Sequence, residues 1–171
     1  AGGRVDLQAQ LAIALARAAW RRGRAHDASR LLDDALRSQG LPQNLEAELL
    51  LERALLAHRQ GIAEQRDGDL ADALERCDRR KVIAARVSLA FAARALSRGE
   101  LAEARTHATD AAVLSEDEGD AYVAALSAIH LGQVIMAQGD FDDAKAQLEL
   151  ALAHFQRVGD KGSEACTQLE L

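Results

Sequence analysis

The hexapeptide Gly99-Glu100-Leu101-Ala102-Glu103-Ala104 decides how this chain is read, because it comes back. It recurs as Gly139-Asp140-Phe141-Asp142-Asp143-Ala144 and as Gly68-Asp69-Leu70-Ala71-Asp72-Ala73, with a looser copy at Gly23-Arg24-Ala25-His26-Asp27-Ala28. Each position has a physical job. Glycine closes one helix, where the chain turns left-handed and only a residue without Cβ does so cheaply. The acid after it opens the next helix by accepting orphan N–H groups. Leu or Phe two residues past the glycine is expected to wedge between the two helices. Alanine five residues past it leaves room for them to cross.

Sliding the chain against itself by 40 residues extends the match. Ala85, Ala125 and Ala165 form one series, Ala92 meets Gly132, Ala111 meets Ala151, and Gly119-Asp120 meets Gly159-Asp160. A fixed period of this size marks a repeat architecture. Apolar residues around each turn follow helical spacing, as in Phe141, Ala144, Leu148, Ala151, Leu152 and Phe155. The pattern predicts helices over about 6–22, 25–38, 44–67, 69–79, 82–98, 100–115, 120–138 and 140–157, with a short last one from near Ser163. Helix 69–79 is expected to run almost directly into 82–98 through Asp78-Arg79-Arg80-Lys81.

This pattern resembles the tetratricopeptide repeat. That family's motif sets a small residue, Gly seven positions on, Ala five further, a larger residue four further and Ala three beyond. Gly132, Gly139, Ala144, Leu148 and Ala151 fill these places in the last unit, and Ala92, Gly99, Ala104, Ala108 and Ala111 in the third. Ala16, Gly23, Ala28, Leu32 and Ala35 fill them in the first. Gly61, Gly68, Ala73, Cys77 and Arg80 do so in the second, where Arg80 departs from the motif. The signature glycines at 23, 68, 99 and 139 lie 45, 31 and 40 residues apart, whereas the family's usual period is about 34. The 40-residue form is similar to the longer variant in sensor arms of large bacterial ATPase transcription regulators of the MalT/LuxR type. The resemblance implies an all-α fold, a right-handed α-solenoid of antiparallel helix hairpins, as a single domain over 1–171.

Composition agrees with helices throughout. The chain holds 37 Ala and 26 Leu but one proline, Pro42, so strong helix formers dominate and almost nothing interrupts them. Aromatics make up 3% of residues, so the core is built from small aliphatics. The net charge of −6 is unevenly spread, with +4 over residues 1–98 and −10 over 99–171. Such asymmetry can steer partners. No apolar run reaches the roughly 20 residues that span a bilayer, and a reducing cytoplasm is the expected compartment. The ending Leu169-Glu170-Leu171 is apolar where a terminal repeat is normally polar, which is expected of an excised fragment or of self-association through the terminal helix.

No chemistry-bearing constellation stands out. There is no Gly-rich phosphate loop and no Gly-x-Ser-x-Gly elbow. His26, His58, His107, His130 and His154 form no His-Glu-x-x-His and no i,i+4 pair. Asp142-Asp143 and Glu116-Asp117-Glu118 are read as helix starts, where acids complement the dipole. Cys77 and Cys166 have no metal-ligand spacing and are expected to be buried, inert thiols, Cys166 matching Leu126 at the 40 offset. Basic clusters at Arg21-Arg22 and Arg79-Arg80-Lys81 lack the aromatic platform that single-stranded nucleic acid needs. An enzyme, a cofactor, a metal, a nucleic-acid partner and a membrane partner are therefore not expected.

The resemblance implies that the first helix of each pair lines a concave groove holding a protein or peptide partner. Transferred by motif position, the groove residues are Arg17, Trp20 and Arg21, then His58, Ile62, Gln65 and Arg66, then Arg86, Leu89, Ala93 and Leu96, and finally Ile129, Gln133 and Met136. Apolar anchors mixed with Arg suit an acidic extended peptide. The expected function is a non-catalytic protein–protein interaction scaffold. The alternative is an effector-sensing repeat segment of a large bacterial ATPase/transcription regulator.

Overall fold

The computed structural model describes residues 2–77 and 80–171, and among them every regular element is a helix. In order these are α1 (Gly2–Arg21), α2 (Ala25–Leu36), α3 (Gln43–Arg59), a 3-10 turn (Ala63–Arg66), α4 (Asp67–Arg76), α5 (Lys81–Arg98), α6 (Leu101–Glu118), α7 (Ala121–Ala137), α8 (Phe141–Val158) and α9 (Lys161–Glu170). Asp78 and Arg79, in the expected direct run from α4 into α5, lie outside the described residues. No helix of the described residues is long and apolar enough to cross a membrane.

The chain falls into two compact units, Ala1–Ile83 and Ala84–Leu171. In the first, α1 packs on α2 and α3, α2 on α3, and α3 on α4. Its core joins Ala9, Ile13 and Ala16 of α1 to Ala28 and Leu32 of α2 and to Leu45, Leu49 and Leu56 of α3. In the second, α6 packs on α7, α7 on α8, and α8 on α9. Ala95, Ala104 and Val134 bring α5, α6 and α7 together at one end. Ala85, Leu89, Ala111 and Val123 do the same nearer the start of α5. Phe155, fully buried, fills the space against Ala125, Ala128 and Ala151, a side chain whose burial contributes roughly 2–3 kcal/mol. Tyr122 meets its ring edge-on at 5.8 Å.

The turns explain the repeat. At Gly99, φ is +74°; its N–H donates to the Leu96 carbonyl and the Glu100 N–H donates to the Ala95 carbonyl. This is the paired bonding of a Schellman cap, which satisfies the orphan carbonyls of the preceding helix. The same pair of bonds closes at Gly23, Gly61 and Gly139. The structure therefore moves the second turn from Gly68 to Gly61 (φ +71°), and Gly68 is a helical residue in the first turn of α4. The turn glycines at 23, 61, 99 and 139 are spaced 38, 38 and 40 residues apart, and the short 31-residue step disappears.

Two further corrections follow in the same unit. The helix expected over 44–67 ends at Arg59, and a 3-10 turn intervenes before α4. The small residue seven before the turn is Ala54, 8% exposed, not Gly61. In the last repeat the small residues at these two places meet directly. A Cβ added at Gly132 would lie 3.3 Å from the Ala144 carbonyl oxygen and 3.4 Å from Leu148 Cγ, so the motif marks the close crossing of α7 and α8.

Other expectations also change. Glu116, Asp117 and Glu118 occupy the last turn of α6, not a helix start, where negative charge opposes the dipole. Phe141 is 70% exposed and wedges into nothing, whereas its counterpart Leu101 packs against Ala95, Ala104 and Val134. Cys77 is buried but Cys166 is exposed. Ala165 is exposed while Ala85 and Ala125 are fully buried, because on α9 the inward positions are Glu164 and Thr167. The helix-start role of the acids holds at Asp120, Asp140 and Asp160, whose carboxylates accept backbone N–H bonds.

Candidate interaction surfaces

In the first unit two of the three expected arginines, Arg17 and Arg66, already have partners. Arg17 pairs with Glu52, a 7%-exposed residue of α3. That hydrogen bond, set against desolvation, holds the Arg17 guanidinium above its ordinary value. Arg66 reaches Asp33 at 3.3 Å. Both were expected to face an outside partner's acids, and the fold occupies them instead.

The corrected turn also relocates the second group of candidates. Ile62, Gln65 and Arg66 follow Gly61 and belong to the connector, not to the first helix of the pair. His58 stays on α3, half-buried in its last turn. Trp20 is half-buried against the α1–α3 core, and Arg21 is exposed. Arg53, which sequence reasoning passed over, is the hub of this unit. Its Nε and Nη2 donate to the two oxygens of Asp69 at 2.7 and 2.8 Å, and its Nη1 donates to Asp33 at 2.8 Å. The Asp69 bonds hold its guanidinium above the ordinary value against desolvation. Arg53 thereby ties α2, α3 and α4 together.

In the second unit the candidates divide by burial. Leu89 is 7% exposed and belongs to the core with Ala85, Ala111 and Val123, so it offers nothing to a partner. Arg86 is half-buried and already engaged. Leu96 and Ile129 rest partly on the core and keep part of their surface open. Ala93 and Gln133 are half-buried, and Met136 is 37% exposed. Ala93 and Leu96 lie three residues apart on α5, as Gln133 and Met136 do on α7, so each pair shares a helix face. Elsewhere on α5, Phe91 stacks on His107 at 4.9 Å and Arg94 sits over the Phe91 ring at 4.9 Å.

Among the described residues no group of three His, Cys, Asp or Glu is placed to hold a metal ion. No protein-family model matches the chain, and no curated protein matches it.

Proposed function

We propose that the chain is a right-handed α-solenoid of antiparallel helix pairs of the tetratricopeptide kind, and that it works as a non-catalytic cytoplasmic scaffold for a protein partner. The observation that carries this reading is the set of four identical turn caps at Gly23, Gly61, Gly99 and Gly139. Repeats so spaced present the same face of successive first helices, and such arrays act by their extended surfaces. In the second unit the motif assigns to that face Ala93 and Leu96, which lie on α5, and Ile129, Gln133 and Met136, which lie on α7. It mixes partly open apolar groups with a neutral amide, which suits burial against a peptide.

The test is a pull-down from native extract with wild type and a Gln133→Glu/Met136→Glu variant, both checked by circular dichroism. The surface charge is expected to remove the main partner from the variant, while Lys145→Glu on α8 keeps it. Equal recovery by all three proteins would reject the surface. The 38–40 residue period also supports a second reading, an effector-sensing arm of a bacterial ATPase transcription regulator. A gene that encodes an ATPase segment in the same polypeptide would favour that one.

A further inference from the structure

Two helices carry apolar faces left open among the described residues. On α9, Gly162, Ala165, Cys166 and Leu169 are all exposed, on the side away from the inward Glu164 and Thr167; their i, i+3, i+4, i+7 spacing puts them on one helix face. The repeat register shows what such a face packs against. Ala85 of α5 is fully buried in one cluster with Ala111 of α6, and Ala125 of α7 in another with Ala151 and Phe155 of α8. Ala165 is the next member of that series, and one turn further on the same register runs Leu89, Ile129, Leu169. Leu89 is 7% exposed and Leu169 is 89% exposed. In the two preceding repeats a helix therefore lies where α9 has none among the described residues. On α1, Leu7, Leu11 and Leu15 are exposed in one row, with exposed Ala14 beside them. Exposed Arg4 and Arg22 stand near the two ends of this row.

We propose that these two faces form one interface between copies of the chain, with α1 of one copy packed across α9 of the next. Shape and charge select this pairing over the others. The leucine row of α1 supplies a ridge, and the small residues Gly162, Ala165 and Cys166 leave a groove for it. Residues 1–98 carry +4 and residues 99–171 carry −10. Two α1 helices face to face would bring Arg4 and Arg22 onto like charges, and two α9 helices would bring acidic halves together. Packing α1 on α9 joins opposite signs and covers both apolar faces at once. Such an interface is heterologous, so assembly proceeds until a ring closes or a filament grows. The inference goes beyond the scaffold reading and uses none of the residues assigned to the partner face.

Sedimentation of the full chain reads the assembly. The weight-average mass is expected to rise between about 10 μM and about 1 mM protein, the range of weak association. Leu11→Glu on α1 and Leu169→Glu on α9 are each expected to hold the chain at the monomer mass. Both positions are exposed, so circular dichroism should stay as in wild type. Leu11→Gln and Leu169→Gln, which lose the apolar contact without adding charge, should weaken association less. Each glutamate variant keeps one intact face, so an equimolar mixture of the two should form a dimer of one copy of each and nothing larger. Arg4→Glu/Arg22→Glu should weaken association roughly tenfold. A wild type that stays monomeric through that range overturns the proposal and would assign the two faces to a foreign protein. Wild-type association by Leu169→Glu would mean that α1 pairs with itself, and by Leu11→Glu that α9 does; either result overturns it. A mixture that stays monomeric, or an Arg4→Glu/Arg22→Glu variant that associates as wild type does, equally contradicts it.

Discussion

Replacing Gly61 by valine and Gly68 by alanine should move stability in opposite directions. Gly61 has φ +71°, and a Cβ built there meets nothing within 4 Å. The cost of valine is therefore backbone strain without a clash, about 1–2 kcal/mol for forcing an L side chain left-handed. Gly68 is helical, exposed, and also free of neighbours within 4 Å. Alanine there restricts the unfolded chain and gains helix propensity, worth about 0.5–1 kcal/mol in a compatible site. Asparagine at Gly61, which tolerates the left-handed region, should cost less than valine. Denaturant unfolding followed by Trp20 fluorescence reports the first unit, where all three residues lie. The midpoint should fall for Gly61→Val and rise for Gly68→Ala at constant slope. A loss at Gly68 with no loss at Gly61 would return the turn to 68 and refute the 38-residue register.

Three further outcomes are expected. Arg53→Met leaves Asp69, with 9% of its side chain exposed, without its two bonds, and should cost about 2–3 kcal/mol in the same unfolding assay; a double-mutant cycle with Asp69→Leu should recover part of that loss. Glu118→Lys replaces an acid at the end of α6 with a charge that complements the dipole and should stabilise by about 0.3–1 kcal/mol at low salt, with the gain shrinking in about 1 M salt. The Asp160 carboxyl is held below its ordinary value of 3.8, chiefly by the hydrogen bond from the Ser163 hydroxyl and then by backbone N–H bonds. A depressed aspartate stabilises the fold above its unfolded value and loses that contribution as pH falls through the folded one. The stability difference between wild type and Asp160→Asn should accordingly be flat above about pH 5 and drift below 3.8; a difference independent of pH down to about 2 would contradict the cap.

Much of the fold was legible because the caps are local. Gly23, Gly99 and Gly139 are each followed within two residues by the next helix, so the sequence pattern and the turn coincide. The second repeat hid its turn. A full copy of the hexapeptide sits at 68–73, yet there it lies inside the start of α4, seven residues beyond the true turn at Gly61, and its acid Asp69 pairs with Arg53. The acids at 116–118 misled for a related reason. Charge alone favours a helix start, but the left-handed Gly119 (φ +69°) ends the helix behind them.

The interaction surface was less legible because pairing is a tertiary fact. Arg17 and Glu52 are 35 residues apart, and Arg66 and Asp33 are 33 apart. No periodic rule brings these partners together. Exposure also divides residues the motif treats alike, as with Leu89 in the core and Met136 at the surface.

The central claim is that a partner lies on the first-helix face, and site-specific photo-cross-linking tests it most directly. A photoreactive residue is placed singly at Ala93, Gln133 or Met136, and, as controls, at Glu103 of α6 or Lys145 of α8, both exposed. In native extract the first three positions should cross-link one common protein and the two controls should not. Capture of that protein from Glu103 or Lys145, with none from Ala93, Gln133 and Met136, would contradict the account.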